Sequence, residues 1–264
     1  MLPLVIGRAT RLARFFSATQ KSYLAEIVLG IATDTFDAEG EIVGGARAHD
    51  PAAPLPGRDA ILQALRAFRG TVLQRPPRYS AKKVGGVAAH RLARRGVALA
   101  PLDPVEVRVE RLELIDHRED RLRLALTVSS GFYVRALAED VGARLGCGAH
   151  LVWLRRTAAG PFDEAQAHAL GEIEADPAGL RERLVPMDAL LPEWPLVQVG
   201  AAGLARVRDG APVREHDVLR DTRPAGGTLP ALVRVVDMED HLVAIAKSAP
   251  DGGRWPLHPR IVLT

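Results

Sequence analysis

Apolar and polar residues alternate through residues 21–30, KSYLAEIVLG, which predicts a strand with Tyr23, Ala25, Ile27 and Leu29 on one face. The same period recurs at 104–117 and 121–128, EVRVERLELI and RLRLALTV, and the polar HREDR between them predicts a hairpin. A helical period runs through 133–145. There Val134, Leu137, Ala138, Val141 and Leu145 share a face, and Gly146 supplies a stop. Shorter helices are predicted at 10–16, 59–68 and 88–95, a strand at 151–158, and an acidic helix over 164–191. The stretch 33–45, TDTFDAEGEIVGG, is polar and turn-rich, and 73–86 is loop by its two prolines and Gly85-Gly86. Beyond Pro195 the texture changes to prolines, glycines and short alternating runs (LVRVV, HLVAIA, RIVLT), a small β-rich module.

The 264 residues suffice for one or two domains, and 47% hydrophobic with 25% charged residues is ordinary for a folded chain. A single cysteine, Cys147, excludes an internal disulfide framework and Cys-based metal clusters, and it fits a reducing cytosol. No apolar run is long enough for a membrane helix.

Charge adds more than composition does. The net charge is only +3, yet residues 1–25 and 60–102 carry no acid at all. The second stretch holds Arg66, Arg69, Arg75, Arg78, Lys82, Lys83, Arg91, Arg94 and Arg95. A positive field concentrated in this way is the footprint of a polyanion partner rather than of a merely solvated face. Most of the basic residues are arginine, which suits phosphate forks and stacking on bases.

The eight histidines are scattered without metal-ligand spacing, and there is no phosphate-binding Gly loop or nucleophile elbow. Ser129 and Ser130 read as caps before a helix. Arg135 lies in the first turn of the best helix, where a cation opposes the macrodipole. It is either solvated or held by a carboxylate or phosphate. Tyr23 is a packed strand tyrosine or a stacking platform, and Tyr79 is a second aromatic in basic surroundings. Asp34, Asp37 and Glu39 form turns, bind a metal or pair with arginine.

Several motifs occur in one order: LPLVIGRATRLARFF, KSYLAEIVLGIATDTFDAEGE, RPPRYSAKKVGG with LARRG, and SSGFYVRALAEDVGARLGCGAHLVWLRRTAAGPF. In this order the chain resembles the bacterial tRNA pseudouridine-55 synthases, the TruB family. The resemblance implies an α+β fold, with a large mixed, mostly antiparallel sheet flanked by helices. It divides the chain into a catalytic domain over 1–194, with a thumb-like insertion at about 75–100, and a PUA-like RNA-binding module over 195–264. It implies isomerisation of uridine-55 in the T-arm of tRNA by base flipping, without metal or cofactor, by a cytoplasmic monomer.

By the same resemblance Tyr23 stacks on the flipped base and Arg135 pairs with the nucleophilic aspartate. Leu154 and Tyr133 line the pocket, and Asp37 is a second partner of Arg135. Arg75, Arg78, Tyr79, Lys82, Lys83, Arg155 and Arg156 contact RNA. His90 stands where the family often has an aromatic. The family's nucleophile belongs to an H-x-G-x-L-D-P element placed before LPLVIGRAT, hence upstream of Met1, and a misassigned start codon is the simplest expectation. The 264 residues alone are then expected to be inactive. The alternative reading is an inactive homologue that only binds or folds RNA.

Overall fold

The structure is a computed structural model that describes residues 1–97, 100–224, 230–248 and 253–264. Positions 98 and 99 of the expected thumb-like insertion lie outside the described residues. After a 3-10 turn (Gly7–Leu12) and a short helix α1 (Ala13–Ser17), the first alternating segment forms β1 (Lys21–Leu29). Two small strands, β2 (Ala32–Thr33) and β3 (Ile42–Gly44), bracket the TDTFD loop. Next come α2 (Arg58–Arg66), β4 (Gly70–Gln74), the tiny hairpin β5 (Lys83–Val84) and β6 (Val87–Ala88), and α3 (Ala89–Arg94). The expected hairpin is β7 (Val105–Arg118) and β8 (Arg121–Val128), turning at Glu119 with φ 53°. The best helix is α4 (Val134–Leu145), stopped by Gly146 at φ 70°, a left-handed position that glycine adopts without Cβ strain. It leads into β9 (Ala149–Ala159) and β10 (Phe162–Asp163).

Six of these strands make one sheet in the order β10-β9-β1-β8-β7-β4, with every pairing antiparallel. Its register follows from the alternation. Tyr23, Ala25 and Ile27 sit opposite Leu126, Leu124 and Leu122, so all six side chains share one face. Helix α4 packs against β9 and β1, and α2 against β7 and α4. Val134, Leu137, Ala138 and Val141 of α4 are buried there with Ile61 and Leu65 of α2. Each large aliphatic side chain so buried contributes roughly 1.5–3 kcal/mol. Gly142 is required at the α4–β9 approach, because a Cβ there would lie 2.2 Å from the Ala149 nitrogen.

The long acidic helix expected over 164–191 does not form. The chain makes a 3-10 turn at Glu164–Gln166, the short helix α5 (Leu170–Ala175), and further 3-10 turns at Ala178–Arg183 and Met187–Ala189. Pro177 and Pro186 explain the breaks, since proline removes a helical N–H donor and clashes with the preceding turn. The β-rich tail is as the alternation implies. Strands β11 (Leu196–Val199), β12 (Val218–Asp221), β13 (Leu232–Val236), β14 (Leu242–Lys247) and β15 (His258–Val262) form a second sheet, ordered β12-β11-β13-β14-β15. Helix α6 (Ala201–Arg208) covers it and had no clear sequence signal.

The described residues group into two compact units. One contains Met1–Pro3 and Phe15–Ala167; the other contains Leu4–Arg14 and His168–Thr264. The second unit therefore includes an N-terminal segment. Arg8 donates to the Leu263 carbonyl at 3.1 Å, Arg11 donates to the Val262 carbonyl, and Leu12 is fully buried. In the same unit Arg223 is enclosed, stacks over Trp255 at 4.4 Å and forks onto Asp221, which Arg254 also holds. Burial pushes the Asp221 carboxyl up, but the two guanidinium groups prevail and hold it below its ordinary value.

Candidate active site

The TDTFD loop is built tightly enough to aim one carboxylate. Thr33 Oγ1 donates to the Asp37 carbonyl at 2.7 Å, and Asp34 Oδ1 accepts the Glu41 N–H at 2.9 Å. Gly40 is needed at its position, because a Cβ there would lie 2.3 Å from Thr35 Oγ1 and 2.6 Å from Asp34 Oδ1. The loop is fastened to β9 by the Leu151 N–H, which donates to the Phe36 carbonyl at 3.0 Å. Asp37 Oδ1 accepts from Thr35 Oγ1 at 2.6 Å and from the Glu39 N–H at 3.2 Å. Its other oxygen, Oδ2, meets Arg135 Nη1 at 2.9 Å.

Arg135 is thus held rather than solvated. Its Nη2 also donates to the Tyr79 carbonyl in the basic loop. These two contacts use two of the five guanidinium N–H donors, so donors remain for a second carboxylate. The carboxylate of Asp37 also offsets the unfavourable position of a cation in the first turn of α4. Both side chains are about one quarter exposed, at 26% and 24%. That is enough burial to strengthen the pair and enough opening to admit a ligand.

The helix start that carries Arg135 is fixed by a residue with no motif to announce it. The buried Gln74 at the end of β4 accepts the Tyr133 N–H at 2.8 Å and donates to the Tyr133 carbonyl at 3.1 Å. Nor does Ser129 cap the helix. Its hydroxyl accepts the Arg108 N–H at 2.9 Å and extends the β7 ladder instead.

Asp37, Tyr79, Tyr133 and Arg135 line one cleft of about 570 Å³. Asp34, Glu39 and Glu41 add acidic side chains to the lining, and Ser80, His90 and Arg94 also belong to it. The His90 ring Nδ1 and the His90 N–H both reach the Ser80 carbonyl at 3.0 Å. A carbonyl only accepts, so Nδ1 carries a proton.

The remaining sequence candidates lie outside this lining. Tyr23 is half-buried on β1, opposite Arg156 of β9, and packs on the core. Leu154 is opposite Ala25 and is 43% exposed, unusual for a leucine on the helix-covered face. Arg75 donates to the Leu102 carbonyl at 3.1 Å, and Arg78, Lys82 and Lys83 are exposed. Arg155 pairs with Glu164, and Arg156 Nε donates to the Met1 carbonyl at 3.0 Å. Burial, and then the Arg156 charge, lower the Lys21 ammonium from its ordinary value at the start of β1. Among the described residues no cluster of His, Cys, Asp and Glu could hold a metal ion, and no helix is long and apolar enough to cross a membrane.

Comparison with known proteins bears on this geometry. Residues 1–134 match the TruB family pseudouridylate synthase N-terminal domain, and residues 135–192 match the tRNA pseudouridylate synthase B C-terminal domain. The chain is 37% identical over 257 residues to a tRNA pseudouridine synthase B of Stutzerimonas stutzeri (strain A1501), covering 96% of this chain and 79% of that one. It is 43% identical over 213 residues to the protein of the same name from Symbiobacterium thermophilum, covering 80% and 68%. Among solved structures, a chain of a Cbf5-Nop10-Gar1 complex superposes with a TM-score of 0.70 at 22% identity, covering all of this chain and 72% of that one, which shows a shared fold. The two family matches meet between Val134 and Arg135, so the acidic loop, the basic loop and the helix that joins them at Arg135 fall within a continuous match. The chain belongs to the TruB family of pseudouridylate synthases.

Proposed function

We propose that this protein isomerises uridine-55 in the T-arm of tRNA to pseudouridine. The N1–C1′ bond breaks and a C5–C1′ bond forms, while a proton leaves C5 and another is taken up at N1. The isomerisation is redox-neutral, and the reading requires no cofactor. The observation that carries it is the Arg135–Asp37 pair at 2.9 Å on the wall of a cleft. Asp37 orients the guanidinium, whose remaining donors keep a nucleophilic carboxylate ionised and aimed.

Tyr23 supports the extruded base, with Leu154 and Tyr133 as further pocket walls. Removing a base from its stack costs a few kcal/mol, which stacking on an aromatic ring offsets in part. The acid-free stretch 60–102 supplies backbone contacts through Arg75, Arg78, Tyr79, Lys82 and Lys83, and Arg155 and Arg156 add to these from β9. We assign a catalytic domain to 1–194 and a PUA-like RNA-binding module to 195–264, acting as a monomer in the cytoplasm. A purely RNA-binding role is not favoured, because the relatives are named as synthases.

The test is a pseudouridine assay on an unmodified tRNA transcript, with the protein expressed from its full open reading frame. Pseudouridine at position 55 is expected. Its absence, with tRNA binding intact, overturns the reading in favour of a binding protein.

A further inference from the structure

The stretch 30–46, which contains the TDTFD loop, is gripped by the turn after α4 and by the first residues of β9. The Gly30 N–H donates to the Gly148 carbonyl and the Ala46 N–H to the Cys147 carbonyl, both at 2.8 Å. The Leu151 N–H takes the Phe36 carbonyl at 3.0 Å, and Asp37 itself forms a β-bridge with Leu151. The backbones approach closely. A Cβ on Gly148 would lie 2.9 Å from the Gly45 Cα, and one on Gly45 would lie 2.4 Å from the Gly30 carbonyl oxygen. These hydrogen bonds run from backbone to backbone, so the side chains at 147, 148 and 151 do not supply them. A fourth bond does depend on a side chain. His150 is 8% exposed, and its ring Nδ1 meets the Ile31 carbonyl at 2.8 Å. The carbonyl can only accept, so this Nδ1 is the donor.

Ile31 immediately precedes β2, and from there the contacts run on to the site. Thr33 of β2 holds the Asp37 carbonyl, and the Asp37 carboxylate meets Arg135. Arg135 and His150 thus stand on consecutive elements, α4 and β9, and hold one loop at two points. His150 takes it at its entry, and Arg135 takes its carboxylate. We propose that His150 is a positioning residue for the Asp37–Arg135 pair: its Nδ1–H fixes the Ile31 carbonyl and with it the direction in which Asp37 is presented. Neutral imidazole with its proton on Nδ1 and imidazolium both donate there, so the role does not depend on charge. For its effect on rate the proposal rests on the activity proposed above; its geometric part stands on these contacts. A histidine that merely fills the core would act through bulk, whereas a positioning histidine acts through one donor.

The experiment compares His150→Leu with His150→Asn in the protein expressed from its full open reading frame. The two replacements have nearly the same shape, and the asparagine amide can donate close to where Nδ1 does. Thermal unfolding, hydrogen exchange of the Leu151 amide relative to the amides of β8, tRNA affinity and single-turnover rate on an unmodified tRNA transcript are measured. His150→Leu is expected to speed exchange at Leu151 selectively. It is also expected to slow the single turnover roughly tenfold to a hundredfold, the order for a misplaced reacting group, with tRNA affinity near the wild-type value. His150→Asn is expected to restore both the protection and the rate. Equal losses in the two variants overturn the proposal, because the donor would then be irrelevant. A wild-type rate in His150→Leu overturns it as well. If His150→Leu does not fold, the ring nitrogen chemical shifts of the wild type decide: a protonated Nδ1 is expected, and a bare Nδ1 overturns the proposal. Absence of pseudouridine from the wild-type reaction strikes the functional reading instead, while Leu151 exchange and the ring tautomer still decide the role of His150.

Discussion

Gln74 and Tyr133 are joined by two reciprocal hydrogen bonds, in which the side-chain amide of one residue behaves as a strand partner for the backbone of the other. Tyr133 immediately precedes α4, so this pairing sets where the helix begins and hence where Arg135 stands. Gln74→Ala leaves the part-buried Tyr133 N–H without its partner, while the Tyr133 carbonyl keeps the Leu137 N–H at 3.2 Å. We expect a stability loss of about 1–3 kcal/mol, read by denaturant unfolding, and a fall in kcat larger than the change in KM. Unfolding at the wild-type midpoint would show that water replaces the amide without cost.

Arg135→Lys tests the orienting role directly. Lysine keeps the charge but offers a point contact on a flexible stem instead of a planar fork. In the enzyme expressed from its full open reading frame, single-turnover rate should fall by two or more orders of magnitude, roughly the size of losing one oriented electrostatic contact, while tRNA affinity stays near normal. A near-normal rate would make Arg135 a structural cation that merely ties Asp37 to the Tyr79 carbonyl.

The exposed cations of the basic loop should act through charge alone. Replacing Arg78, Lys82 and Lys83 together by alanine is expected to lower the salt dependence of tRNA binding by up to about 2.7 units of log–log slope, at roughly 0.7–0.9 per phosphate. An unaltered slope would place the RNA on another surface.

Acidity at the back of α4 offers a different handle. Burial pushes the Asp140 carboxyl up to about 6, and the charge of Glu139 and a hydrogen bond with Glu139 add to this. An acid whose folded pKa exceeds its ordinary value of about 4 binds more protons folded than unfolded between those two pH values. The charged form therefore costs stability in full above pH 6, the penalty shrinks between about 6 and 4, and it is gone below that. Asp140→Asn should stabilise the protein at pH 7.5 by on the order of 1 kcal/mol once solvent screening is allowed for, with no gain at pH 4. Equal gains at both pH values would mean the effect is not ionisation.

Periodicity made much of this fold legible. Residues 21–30, the 104–128 hairpin and the 133–145 helix each have a face that packs on the core, and burial enforces the pattern that the sequence displays. The failures have local causes. Residues 164–191 have helical composition, but Pro177 and Pro186 cut the backbone ladder into short turns. Helix α6 is short and glycine-bearing, and only its packing on the second sheet makes it worthwhile. At the site, position alone left Arg135 solvated or paired and Asp37 a turn former or a partner, and only the family resemblance joined the two that the structure brings to 2.9 Å. Gln74 was not legible, since a glutamine ending a strand looks like any solvated polar residue until its backbone partner arrives from 59 positions away.

The grouping of Leu4–Arg14 with His168–Thr264 sets a timetable for synthesis. Arg8 and Arg11 reach their carbonyl partners at Leu263 and Val262, 255 and 251 positions further on, only when those residues have been made. At about 5–20 residues per second in translation, the first segment waits on the order of tens of seconds on the ribosome. During that wait the two guanidinium groups lack those carbonyl partners, and the four cations in the first 25 residues have no acid among them. The second unit can therefore close fully only once residues 262 and 263 have been made.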